Sequence, residues 1–122
     1  MKKEKSKQIL EVAVKAADSK RAEDIVALEV GEISLLADYF LITNGTNERQ
    51  VNAIVDAVVE EVEKAGVLLK RLEGKEGGKW ILIDFGDVIV HVFNHEERDF
   101  YKLEKLWSDA PIVDIQDWLL ED

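Results

Sequence analysis

The sequence predicts a single α/β domain in which a mixed five-stranded sheet is packed with helices. The order of periodic segments reads α-β-β-α-β-β-β-α, with too few helices for an all-parallel wound sheet. The stretch Trp80–Phe93, WILIDFGDVIVHVF, reads as a β-hairpin whose one face is wholly apolar and needs a cover. Glu48–Ala65 carries Val51, Ile54, Val55, Val58 and Val62 at a 3.6-residue spacing, which makes a helix able to supply that cover.

The elements follow in order. Ile9, Val12, Ala13 and Ala16 recur at helical spacing, so Lys5–Asp18 is predicted as a helix, ended by the polar run Asp18-Ser19-Lys20. Asp24–Val30 is predicted as a strand with Val26, Leu28 and Val30 on one side, and Asp38–Thr43 as a second, aromatic and β-branched strand. Asn44-Gly45-Thr46 is a tight turn. Asn47 with Gln50 three residues on resembles a capping box at the start of Glu48–Ala65, and Gly66 suits the position after its end. Val67–Leu72 is a third strand, and Glu73–Lys79 a charged, glycine-rich loop.

In the hairpin, Gly86-Asp87 suits a type II′ turn. A two-residue loop pairs Phe85 with Val88, Ile83 with Val90 and Ile81 with Val92, and all six share the apolar face. The other face sets Trp80 against Phe93, Leu82 against His91 and Asp84 against Ile89. That mixture belongs either under a second cover layer or against a partner. Asn94 and Glu97 make another capping-box pattern, opening a helix to about Trp107 with Phe100, Leu103 and Trp107 on one side. Pro111 closes the region. At 122 residues one domain is expected, residues 1–110, with a C-terminal tail at 111–122 in which Asp114 caps a short helix bearing Ile115, Trp118 and Leu119.

Composition excludes several classes of function. Hydrophobic residues make up 47%, enough for a core and too many for a disordered chain. No apolar run approaches the ~20 residues that span a bilayer, and the charged start MKKEKSKQ does not read as a secretory signal. There is no Cys, hence no disulfide framework and no thiolate chemistry, and cytoplasmic residence is the expectation. With 16 Lys and Arg against 26 Asp and Glu, the net charge is −10. Direct binding to nucleic acid, which rests on neutralising phosphates, is expected to be slight. Such acidity either serves solubility alone or suits a basic protein surface.

The motifs with chemical potential are few. Gly45-Thr46, between a strand and a helix, has backbone N–H groups of the kind that hold anions, but an N-cap explains it without a ligand. Neither a Walker A pattern nor G-x-G-x-x-G occurs. A strand, Gly-Thr and a helix also resemble a nucleotidyltransferase, which makes a phosphate-handling enzyme of that type the alternative function. Such enzymes need paired carboxylates on the following strand, and Val67–Leu72 has none. His91 and His95, with Glu96 or Glu97, lack a ligand-spacing motif, so no metal or other cofactor is expected. His91 and Asp84 fall at a diagonal on the mixed hairpin face, a pair better suited to shaping that face than to catalysis without a nucleophile nearby. Trp80, in their company, is either a core residue or an interface anchor.

The segments ADYFLITNGTNERQVNAI at Ala37–Ile54, LEG at Leu72–Gly74 and WILIDFGDVIVHVFNHEERDFYKLEKLW at Trp80–Trp107 together resemble the ribosomal silencing factor family, also called Iojap-like. The pattern W-x-x-x-D-x-G-D-V-x-V-H-V-F followed by R-x-x-Y-x-L-E-x-L-W is long and specific, and the resemblance covers nearly the whole chain. It implies a fold related to nucleotidyltransferases without their activity. It also implies a translation repressor that binds the large ribosomal subunit at its protein fourteen and blocks joining of the small subunit. A link to large-subunit maturation and self-association of the free protein belong to the same implication. Glu73, Trp80, Asp84 and His91, with Tyr101 and Glu104 on the following helix, are the expected partner-binding residues; no catalytic residue is expected.

Overall fold

The computed structural model describes residues 2–31, 37–74, 79–95 and 110–119. Its elements are α1 (Lys2–Ser19), β1 (Glu23–Glu29), β2 (Tyr39–Gly45), α2 (Glu48–Lys64), β3 (Arg71–Glu73), β4 (Trp80–Asp84), β5 (Val88–Asn94) and β6 (Ile112–Val113), then a 3-10 turn at Gln116–Trp118. The helix expected from Asn94 to Trp107 lies, from residue 96 on, outside the described residues.

The sheet is mixed and open, but it has six strands rather than five, in the order β3-β4-β5-β2-β1-β6. β2 and β5 run parallel, from Tyr39 opposite Val88 to Gly45 opposite Asn94. The other neighbours are antiparallel. The sixth strand, β6, sets Ile112 and Val113 against Leu28 and Ala27. Two residues carry no readable period, and the pairing is completed by backbone alone, with the Glu29 N–H donating to the Pro111 carbonyl at 2.9 Å. The short helix expected after Asp114 is a single 3-10 turn, and Asp114 Oδ1 accepts from the Gln116 N–H at 3.0 Å. Ile115 is buried in the same cluster as the helices' apolar residues.

The strand expected over Val67–Leu72 is shorter and shifted. β3 begins at Arg71, opposite Asp84, the last residue of β4. Val67–Leu69 therefore runs past the hairpin turn, where β4 offers no ladder partner. Its alternation survives as packing, with Val67 and Leu69 against the core and Leu68 77% exposed.

Both helices end in left-handed residues that satisfy orphan carbonyls. After α2, Gly66 has φ 96°, its N–H bonds Glu63 O at 3.0 Å, and the Val67 N–H bonds Val62 O at 3.3 Å. After α1 the same geometry falls on Arg21, φ 61°, with the Ala22 N–H on Ala17 O at 3.2 Å. Half of the expected capping box forms, with Asn47 Oδ1 accepting from the Gln50 N–H at 2.9 Å. The Gln50 side chain does something else. Its Oε1 accepts from the Thr46 N–H at 2.6 Å and the Thr46 hydroxyl at 2.8 Å, and its Nε2 donates to the Lys20 and Arg21 carbonyls at 3.1 and 3.0 Å. One glutamine thus pins the strained α1–β1 turn to the start of α2.

The hairpin has the expected register, with Ile81 opposite Val92, Ile83 opposite Val90, and Phe85 N–H donating to Val88 O at 3.0 Å. Gly86 takes φ 95°, as the first position of a type II′ turn requires. Ile81, Ile83, Phe85, Val88, Val90 and Val92 are all buried, in one cluster with Leu10, Val14 and Ala17 of α1 and Val51, Ile54, Val55 and Val58 of α2. The opposite face has its own smaller cluster, in which Leu28, Phe40, Ile42, Ile89 and Phe93 are buried.

Ile83 has no exposed surface beneath the helices. Ile83→Ala is expected to cost about 2–5 kcal/mol in chemical denaturation, the range for emptying a packed core site. A loss under about 0.5 kcal/mol, typical of surface changes, would show that the helices do not cover this face.

Candidate functional site

Opposed residues on neighbouring strands share a face, so the ladder registers lay out the surface away from the helices. One row runs Glu73, Leu82, His91, Ile42, Val26; the next runs Arg71, Asp84, Ile89, Phe40, Leu28. Trp80 stands opposite Phe93. Glu73, Trp80, Asp84 and His91 are thus brought to one sheet face, on β3, β4 and β5. Tyr101 and Glu104 lie outside the described residues.

The four residues differ in what they offer. Trp80 is half-buried and stacks on Phe93, with ring centroids 5.1 Å apart. Its Nε1–H donates to His91 Nδ1 at 3.2 Å. His91 is itself buried, at 5% exposure, and the Phe40 ring packs edge-to-face with it, centroids 5.0 Å apart. A nitrogen that accepts carries no proton, so the neutral ring holds its proton on Nε2. Nε2 is buried and has no hydrogen-bond partner among the described residues. Burial pushes the His91 pKa down from 6.5 to about 4. His91 therefore supports Trp80 from beneath.

The diagonal pairing of His91 with Asp84 does not form. Asp84 is half-buried, and its Oδ1 accepts from the Gly86 N–H at 2.7 Å, bracing the hairpin turn. Glu73 is exposed and ion-paired with Arg71 at 3.3 Å. Because β3 as observed takes in Glu73, the strand after α2 does hold one carboxylate, contrary to the reading of Val67–Leu72. His91 and His95 do not converge, for His95 Nδ1 lies 3.4 Å from Glu23 while His91 faces the aromatic cluster. Among the described residues no three His, Asp or Glu side chains group closely enough to hold a metal ion. At Gly45-Thr46 the Thr46 N–H is already taken by Gln50, which leaves the turn less able to hold an anion.

Two residues of this face were missed in the sequence. Phe40 reaches His91 only through the parallel β2–β5 register, which no local pattern reveals. Gly74 has φ 84°, and a Cβ there would collide with the Trp80 carbonyl, so the chain beside the tryptophan requires glycine. The glycine in the motif Leu72–Gly74 was the available signal.

The mixed sheet, its two helices and the aromatic cluster around His91 make up one small α/β domain. The family model for the ribosomal silencing factor during starvation matches residues 3–122, and the chain belongs to that family. It is 50% identical over 109 residues to the ribosomal silencing factor RsfS of Bacillus subtilis, covering 89% of this chain and 92% of that one. It is 30% identical over 102 residues to the mouse protein named mitochondrial assembly of ribosomal large subunit protein 1, covering 81% of this chain and 45% of that one. A crystal structure from Bacillus halodurans aligns with TM-score 0.79 at 48% identity, covering 88% of this chain and 98% of that one. No helix among the described residues is long and apolar enough to cross a membrane.

The buried His91 sets a pH dependence. Its folded pKa lies below the unfolded 6.5, so the unfolded chain binds a proton that the folded one resists. Stability is full above about pH 6.5 and falls as pH drops toward about 4, by a contribution on the order of 3 kcal/mol. The difference in unfolding free energy between wild type and His91→Gln, followed from pH 7 to pH 4, is expected to shift in favour of the variant. A pH-independent difference would mean that His91 titrates as an exposed histidine.

Proposed function

We propose that this protein is a non-enzymatic translation repressor of the cytoplasm. In this reading it binds the large ribosomal subunit at its protein fourteen and, by occupying that surface, blocks joining of the small subunit. The observation that carries the reading is the gathering of Trp80, Asp84 and Glu73 at the partly exposed β3–β4 end of one sheet face, in a chain that belongs to the silencing factor family. A relative named for assembly of the ribosomal large subunit supports the subunit assignment and extends it to maturation. The net charge of −10 suits a basic ribosomal protein and disfavours direct contact with ribosomal RNA, so affinity has to come from a local protein contact.

In that contact Trp80 is the rigid apolar anchor. Asp84 and Glu73 accept charge-assisted hydrogen bonds from Arg or Lys, and Glu104 and Tyr101 extend the same surface. His91 acts through Trp80, by holding the indole N–H. The relation to nucleotidyltransferases is one of fold, without their catalysis, and self-association of the free protein would compete for exposed surface. No cofactor enters the reading.

Trp80→Ala and Asp84→Ala test it. Each is expected to weaken binding to isolated large subunits by about 2 kcal/mol or more, roughly thirtyfold, without a matching loss of thermal stability. Wild-type binding by both folded variants would move the interface off this face.

A further inference from the structure

On the helical side of the sheet, α2 packs over β5, β2 and β4. The edge strand β3 lies beyond it. Leu72 of β3 pairs with Ile83 and so points to the helical side, where it is only partly buried. Between α2 and β3 runs a groove of about 520 Å³ with an apolar floor of Val55, Val59 and Leu72 and a wall of Asp56, Glu60 and Glu63. Lys64, the cation that lines it, is bridged to Glu60 and to Glu61 at 3.3 Å each. The connection from α2 to β3 also presents Leu68, 77% exposed.

We propose that this groove is a second docking surface, which takes a basic amphipathic helix from a protein partner. The charge argues for a basic occupant, since among the described residues the lining carries three carboxylates and one lysine, an excess of two negative charges. The shape argues for a helix. β3 has three residues and carries the Arg71–Glu73 ion pair, so its edge offers little ladder to an added strand. The groove follows α2 from Val55 to Lys64, roughly 13 Å or two to three turns, which matches anchors at i, i+3 and i+7 of a docked helix. It faces away from Trp80 and Asp84, so the two surfaces can be occupied at once.

The test is an NMR titration of the full chain with a synthetic capped peptide of about 15 residues, bearing Leu at i, i+3 and i+7 and Arg on the flanking positions, beside a scrambled peptide of the same composition. Saturable shifts are expected in the amides of Val55, Val59, Glu63 and Leu72. Binding should weaken about tenfold in Glu60→Lys/Glu63→Lys, the weight of two surface charge pairs, while that variant binds large subunits as wild type does. Equal binding of the scrambled peptide, shifts confined to the Arg71 and Glu73 amides, or no shifts at all would overturn the proposal. None of those outcomes bears on the sheet-face interface, which Trp80→Ala reports separately.

Discussion

The parallel pairing of β2 with β5 is the constraint on which the rest of the molecule depends. Every residue of β2 is buried, and so is all of β5 up to Asn94. Strands of that kind need cover on both sides, and a parallel pair needs a long connection. The connection here is α2, β3 and β4, which returns the chain to β5. It delivers α2 to one side and sets β4 and the edge strand β3 beyond β5. α1 completes the first cover, and the second side holds a smaller buried cluster with Phe40, Ile42 and Phe93.

That second side couples the core to the surface. His91 stands mid-strand in β5, packed by Phe40 and Trp80, and its buried ring carries a hydrogen bond from the indole. Trp80 is thereby held in one orientation before any partner arrives, which lowers the entropy lost on binding. Asp84 is likewise held by the Gly86 N–H, and Gly74 lets the chain pass close to the Trp80 carbonyl. The proposed interface thus rests on backbone and core features rather than on mobile side chains. In the proposed contact, an anchor of this kind would supply affinity that an acidic protein cannot draw from phosphates.

The elements legible in the sequence were those with a long period or strong turn chemistry. The hairpin register followed from Gly86-Asp87 and two alternating runs, and α2 from its valine stripe and its Asn47 and Gly66 ends. What escaped was set by tertiary neighbours. β6 is two residues recruited by the edge of β1, and the strand expected at Val67 begins only where β4 can pair with it. Trp80 and Asp84 lie on the face read for them, but their bonding was not readable. A diagonal rule favoured His91 with Asp84, whereas burial of a neutral imidazole favours an uncharged donor, and Trp80 supplies it. The capping glutamine shows the same limit, since Gln50 reaches past the cap to the α1–β1 turn.

Most direct for the central claim is sedimentation of the protein with separated ribosomal subunits, followed by mixing of the two subunits in its presence. Occupation of the joining face predicts co-migration with the large subunit alone and a fall in the fraction of joined ribosomes as the protein is added. Co-migration with the small subunit, or with joined ribosomes whose fraction stays constant, would contradict it.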